Sequence, residues 1–205
     1  MPELGLFPLG VVLLPSEQLP LHIFEPRYRE LIDECIQGER EFGLVHADDE
    51  GTREIGTTAS VVEIVRRFPD GRLNVVVEGR ERFRVVRRTE GRAFETAEVA
   101  LVPDEPDPAE PGAIERSLHL YRRLAEQAGS DAPDEPRLTP RLSYALAARV
   151  DFGPQLKQGL LEQRSERERL RQVVELLERA VQAIALEREI GDRAARNGKV
   201  TRMPD

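Results

Sequence analysis

The sequence predicts an α+β fold, a domain of mostly antiparallel strands followed by a C-terminal helical bundle. Three observations carry that expectation. Residues 4–102 are short β-branched runs punctuated by Gly, Pro and Asp, the pattern of strands joined by turns. From Ala113 onward the chain is rich in Arg, Glu and Leu at spacings of three and four, the pattern of helices. Between them Pro103, Pro106, Pro108 and Pro111 stand among acidic residues, a stretch short of backbone donors whose acids are not expected to pack. The expected organisation is a β domain over 1–102, an acidic proline-rich linker over 103–112, a helical subdomain over 113–193 and a flexible tail over 194–205.

Leu19 to Phe24 reads as a strand stopped at Glu25-Pro26, because proline disfavours helical backbone in the residue before it and suits the first turn of a helix. Tyr28, Leu31, Ile32, Cys35 and Ile36 then form one apolar stripe, with Gly38 as the helix stop. Residues 57–68 and 72–78 flank Pro69-Asp70-Gly71 and read as a β-hairpin, Asp-Gly supplying the positive backbone angles of a tight turn. A further connection is expected at Glu78-Gly79-Arg80, before strands over 81–89 and 93–102. Later helices are expected over 113–128, from Thr139-Pro140 with Thr139 as N-cap, and around 156–161 after Gly153-Pro154. Ser165-Glu166-Arg167-Glu168 has the form of a capping box. Leu170, Val173, Val174, Leu177, Val181 and Ile184 follow on one face of a long final helix reaching about Ile190.

With 205 residues, 40% of them hydrophobic, the chain can bury a core. A net charge of -8 and a pI near 5.2 disfavour a general polyanion binder. The single cysteine excludes an internal disulfide and a multi-cysteine zinc site, and fits a cytoplasmic setting. No basic segment opens the chain as in a secretory signal, and no run reaches the roughly 18 to 20 apolar residues of a membrane span, so no membrane partner is expected.

Tests for chemistry fail one by one. A phosphate-binding loop needs Gly, four residues, then Gly-Lys and a hydroxyl residue; Gly191 and Gly198-Lys199 are too far apart and Val200 follows. A Ser-Lys dyad needs a desolvated lysine, but Lys157 lies in a polar helical segment, Lys199 lies in the tail, and Ser165 is better explained as an N-cap. Cys35 falls on an apolar stripe and reads as core packing rather than a nucleophile served by His22 or His46. His22, His46 and His119 lack metal-ligand spacing and read as structural histidines, and Asp48-Asp49-Glu50-Gly51 lacks the further ligands of a calcium loop. No catalytic residue, metal or cofactor is expected. Arg80, Arg82, Arg84 and Arg88 can share a strand face, yet Glu78, Glu81 and Glu90 lie beside them, so a salt-bridged face is preferred to a nucleic-acid contact.

Linked motifs carry a family resemblance. Phe7-Pro8-Leu9-Gly10, Leu14-Pro15 and Leu19-Pro20-Leu21-His22-Ile23-Phe24-Glu25-Pro26-Arg27-Tyr28-Arg29 resemble the start of the substrate-binding domain found at the N-terminus of Lon proteases. Glu41-Phe42-Gly43-Leu44-Val45, Ile55-Gly56-Thr57-Thr58-Ala59, Phe68-Pro69-Asp70-Gly71-Arg72 and Val77-Glu78-Gly79-Arg80-Glu81-Arg82-Phe83 continue it in order. The resemblance implies a PUA-like β-pseudobarrel with a helical bundle after it, and recognition of unfolded or damaged polypeptide; the failed motif tests add the expectation that this is done without ATP hydrolysis or proteolysis, in departure from the full Lon pattern. Exposed apolar patches or an open sheet edge would serve such recognition. The candidate polypeptide contacts are Phe68, Arg80 and Arg82. Phe68 at the hairpin tip either meets a partner or folds down onto the C-terminal helices, the internal contact being the expectation, while Arg27 and Arg82 either pair with Glu25 or Glu78 or stand as ordinary surface arginines, the two readings weighing equally. Two further readings remain open: a scaffold presenting the apolar stripe of the final helix to a partner protein, and RNA recognition through the arginine stripe.

Overall fold

A computed structural model describes residues 2–129, 136 and 138–197. Six strands form one sheet: β1 (Glu3–Leu9), β2 (Gln18–Ile23), β3 (Phe42–Asp48), β4 (Gly51–Arg67), β5 (Leu73–Thr89) and β6 (Thr96–Leu101). Their order is β2-β5-β4-β3-β1-β6, and β6 pairs back onto β5 to close the barrel. Only β1 and β3 run parallel; the other pairings are antiparallel. Helix α1 (Pro26–Gly38) supplies the crossover between β2 and β3, and α2 (Pro111–Gln127), α3 (Leu142–Ala147), α4 (Pro154–Glu162) and α5 (Glu166–Asn197) form the bundle. This is the expected α+β pseudobarrel with its helical appendage.

The hairpin joining β4 to β5 turns where expected, the Phe68 carbonyl accepting the Gly71 N–H at 3.0 Å. Gly71 alone takes the positive angle, φ 86°, while the Asp70 carboxylate accepts the Arg72 N–H. The connection expected at Gly79 does not exist, and β5 runs through it unbroken. Gly79 serves another purpose, because the loop of residues 10–17 crosses it so closely that a Cβ there would meet the Leu14 carbonyl. Its N–H donates to the Glu17 carbonyl and its own carbonyl accepts the Ser16 N–H. At the end of α1 the left-handed residue is Glu39, φ 49°, rather than Gly38.

Three apolar clusters fill the interior. Leu6, Val45, Phe83, Ala97 and Val99 pack within the barrel, and Tyr28, Leu31, Ile32 and Cys35 of α1 pack on Ile23, Leu73, Val75 and Val77. In the bundle, Leu170, Val173, Leu177 and Val181 of α5 are all buried, together with Val12, Leu14 and Ile55 from the barrel. The stripe on the final helix is therefore core from Leu170 to Val181, with only Ile184 at its end partly exposed, which removes the main support for a scaffold built on it. The helix starts as expected, the Ser165 hydroxyl accepting the Glu168 N–H, and extends beyond Ile190 to Asn197. Helix α3 begins after Arg141, two residues past the expected Thr139-Pro140 start. Gly198, Lys199 and the end of the expected tail lie outside the described residues.

Arg82 and the proline-rich segment overturn two expectations together. Arg82 is 4% exposed, and its guanidinium donates to the carbonyls of Val102, Leu161 and Gln163 and to Asp104 at 2.6 Å. Arg169, fully buried on α5, donates to both oxygens of Asp104, to Glu166 and to the Ser143 hydroxyl. An acid from the segment expected not to pack thus sits between two buried cations, one from the sheet and one from the bundle. The pairing of Arg82 with Glu78 is replaced by this latch, because the strand places Arg82 toward the bundle; Arg27 does pair with Glu25, at 2.9 Å.

Candidate polypeptide-binding face

Beyond Ala59, β4 leaves β3 and continues only with β5, so β2, β5 and the last part of β4 form a three-stranded sheet with α1 on one side. Strand alternation then sorts the side chains. Leu19, Val77 and Val61 share a row, as do Leu21, Val75 and Ile64, and these face α1. The alternate rows, Gln18 with Glu78 and Ser60, Pro20 with Val76 and Glu63, and His22 with Asn74 and Arg66, face away from it. The inner rows are apolar because a helix covers them; the outer rows are mixed because none does.

Phe24 and Phe68 stand at one end of the outer face. Phe24 is 59% exposed and stacks on the His22 ring, which also meets the Phe68 ring at a right angle. Asn74 holds the His22 ring through a 2.6 Å hydrogen bond at Nδ1. The guanidiniums of Arg66 and Arg72 lie 4.6 and 5.1 Å from the centre of the Phe68 ring. The Arg72 backbone N–H, more than its guanidinium, keeps the Asp70 carboxyl below the usual carboxylate range. Phe68 thus rests on His22 and two arginines instead of folding onto the C-terminal helices, because the rigid turn directs it across the sheet toward β2.

Arg80 stands at the other end of the same face, donating to Ser60 Oγ and Glu78 Oε1. The Glu78 and Asn74 rows between these ends are about 14 Å apart at the usual rise per residue. Phe68 and Arg80 are brought onto one surface; Arg82 is not, being spent in the latch. Phe24 and His22 complete the aromatic cluster although neither was singled out as a contact. Their signal was present: Gln18, Pro20, His22 and Phe24 alternate with the core-facing Leu19, Leu21 and Ile23.

Other candidates resolve without chemistry. Burial, reinforced by Glu34 and only partly offset by Arg40, pushes the Cys35 thiol up to about 11, far from a nucleophile's range. Ser165 Oγ is engaged by Asp107 and Glu168, and Lys157 is paired with Glu17 at 2.5 Å. Asp48 closes the β3–β4 turn with Glu50 and Arg53. His22 is exposed and bonded to Asn74, whereas His46 is buried. No group of three or more potential metal ligands occurs among the described residues, and no helix there is long and apolar enough to cross a membrane. The β5 arginines are salt-bridged: Arg80 to Glu78, Arg84 to Glu54, Arg87 to Glu98 and Arg88 to Glu95.

A closed, mostly antiparallel β-domain latched to a helical bundle, with one sheet face bare, defines the class of protein. The model of the ATP-dependent protease La (LON) substrate-binding domain matches residues 3–179, and the chain belongs to that family. It is 28% identical over 200 residues to the Lon protease of Paraburkholderia phytofirmans, covering 89% of this chain and 25% of that protein. It is 23% identical to the Lon protease of Cytophaga hutchinsonii, covering 88% and 24%. The chain therefore spans about a quarter of the length of these curated relatives. The solved Lon N-terminal domain protein from Xanthomonas campestris superposes with a TM-score of 0.67 at 26% identity, covering 85% of this chain and 98% of that one. The N-terminal domain of the Mycobacterium avium complex Lon protease superposes at 0.65 with 18% identity, covering 86% and 98%.

Proposed function

We propose that this chain binds exposed apolar segments of unfolded or damaged polypeptides on the outer face of the β2–β5–β4 sheet, without covalent chemistry of its own, and delivers them to a separate protease in the cytoplasm. The observation that carries the reading is the exposed Phe24 ring, grouped with His22 and Phe68 on the uncovered, mixed face of the sheet. A large ring held in water at an organised position gains free energy when a partner covers it. Covering Phe24 contributes about 1–2 kcal/mol, given that full burial of such a side chain is worth about 1.5–3. Arg80 supplies a polar end to the same face, while the segment's apolar side chains meet the aromatic end.

A fluorescence-anisotropy titration with a labelled, carboxymethylated unfolded polypeptide tests this, with mass spectrometry of the same samples for fragments. The expected result is saturable binding of intact polypeptide, weakened about 5–30-fold by Phe24→Ser. Since Phe24 is mostly solvated, that variant should keep its stability within about 0.5 kcal/mol. Unchanged affinity would remove the aromatic cluster from the site, and fragments would overturn the non-catalytic role.

A further inference from the structure

Strand β4 presents an open edge. Its pairing with β3 ends at Phe42 opposite Ala59, yet it continues to Arg67 bonded to β5 on its other side only. Ladder N–H and C=O groups of residues 60–67 that point away from β5 meet no backbone partner among the described residues. Opposite this edge stands the C-terminal turn of α1. The two enclose a groove of about 410 Å³ of mixed lining, with Cys35 and Ile36 beside Glu39 and Arg40 on the helix side and Val61, Val62 and Ile64 beside Glu63 and Arg80 on the strand side. Val62 and Ile64 are each 41% exposed there.

We propose that this groove takes one extended polypeptide segment, which adds to β4 as a further strand antiparallel to it. The inference rests on the polypeptide-binding reading and deepens it by naming how the client's main chain is held. Two features select that occupant. The unmet ladder groups are satisfied by another extended backbone, the chemistry of strand addition. The vacant line continues that of β3, which already lies antiparallel on the same edge upstream, so a strand fits the spacing. A second folded copy of this chain is a poor occupant. Bulges at Val61/Glu63 and Ile64/Arg66 coil the edge, and α1 stands beside it; a single segment follows that curve where a flat sheet edge does not. The recognition is of extended conformation and spaced apolar side chains, not of one sequence.

Amide hydrogen exchange, measured on the whole chain with and without saturating carboxymethylated unfolded polypeptide, tests the proposal. Groove-facing amides of residues 60–67 should exchange at least about tenfold more slowly in the complex, and Ile64→Lys should weaken binding about tenfold, an effect of 1.4 kcal/mol. Val86→Lys, at a comparably exposed site away from the groove on β5, should leave affinity unchanged. If the polypeptide binds and Phe24→Ser weakens it, but the 60–67 amides are unaffected and Ile64→Lys is neutral, strand addition is wrong and the aromatic site stands. If no saturable binding occurs, polypeptide binding itself fails. Protection of these amides that grows with protein concentration in the absence of polypeptide would assign the edge to self-association and overturn the proposal.

Discussion

Replacing Asp104 with Ala removes the one carboxylate shared by two buried guanidiniums. Asp104 Oδ1 accepts from Arg82 at 2.6 Å and from Arg169 at 2.9 Å, and Oδ2 accepts from Arg169 at 3.1 Å. Arg82 keeps its three carbonyl partners and Arg169 keeps Glu166, so both remain hydrogen-bonded, but one negative charge then faces two positive ones. Removing one partner from a buried ion pair costs about 3–5 kcal/mol, because the remaining charge is left uncompensated in a poorly solvated site. For a protein of this size that corresponds to a fall in Tm of about 6–20 °C. The exposed pair Arg84 and Glu54 makes the control: Glu54→Ala should change stability by less than about 1 kcal/mol. Guanidinium-chloride unfolding followed by circular dichroism measures both. An Asp104→Ala variant within about 1 kcal/mol of the parent would refute the argument that this acid balances the latch.

The same residue sets a pH dependence. Burial alone raises the Asp104 carboxyl, but the hydrogen bond and charge of Arg169, with the charges of Arg82 and Arg141, outweigh it and hold the group below the usual carboxylate range. A carboxyl depressed in the folded state stabilises it fully above its unfolded value of about 3.9, and that stabilisation is lost as pH falls through the folded value. Stability should therefore drop below about pH 4, and Asp104→Asn should flatten the curve in that window relative to the parent. Parallel acid limbs for the two proteins would show that Asp104 is not a linked group.

Gly79→Ala should cost about 1–3 kcal/mol, because the new Cβ would press on the Leu14 carbonyl and on Thr57 Cγ2, and backbone on one side cannot yield; an unfolding midpoint equal to the parent's would refute the close approach. Tyr144→Phe should be neutral or slightly stabilising, since the buried Tyr144 hydroxyl has no hydrogen-bond partner among the described residues, while the ring keeps its place under Arg169, 4.1 Å away. A loss above about 1 kcal/mol would reveal a partner for that hydroxyl. Cys35, raised to about 11 by burial, should react with a thiol reagent at pH 8 far more slowly in the native protein than in denaturant, and equal rates would contradict its placement beneath the sheet.

Local signals in the sequence located most of the fold. Pro26 marks the start of α1, Gly71 the hairpin and Ser165 the start of α5, because each acts through its own backbone or a side chain within a turn of it. The failures came from contacts distant along the chain. Gly79 looked like a turn residue, but the loop of residues 10–17 explains it. Asp104 looked like a solvated acid, and only the meeting of Arg82 with Arg169 reveals otherwise. The candidate face was half legible. Phe68 was singled out for its size beside a turn, whereas Phe24 was absorbed into a scaffold motif although it continues the outward alternation of β2. Arg80 and Arg82, two residues apart, looked interchangeable; the coiling of β5 sends one to the open face and the other into the latch.

The division of labour between those two arginines suggests why the bare face lies where it does. The bundle needs an anchor on the barrel, and it takes it along Ile55, Arg82 and the loop of Val12 and Leu14, burying one end of the long β4–β5 pair. The other end projects beyond β3 and has only α1 to cover one side. Two 17-residue strands are longer than one barrel wall requires, so the surplus becomes a three-stranded flap with a covered inner face and an exposed outer one. Its open β4 edge follows from the same surplus, since β3 is only seven residues long. Shortening the hairpin on both strands would remove the open edge and Phe68 together while leaving the Arg82 latch intact, so the length of β4 and β5 beyond β3 is the feature of this fold on which the proposed binding rests.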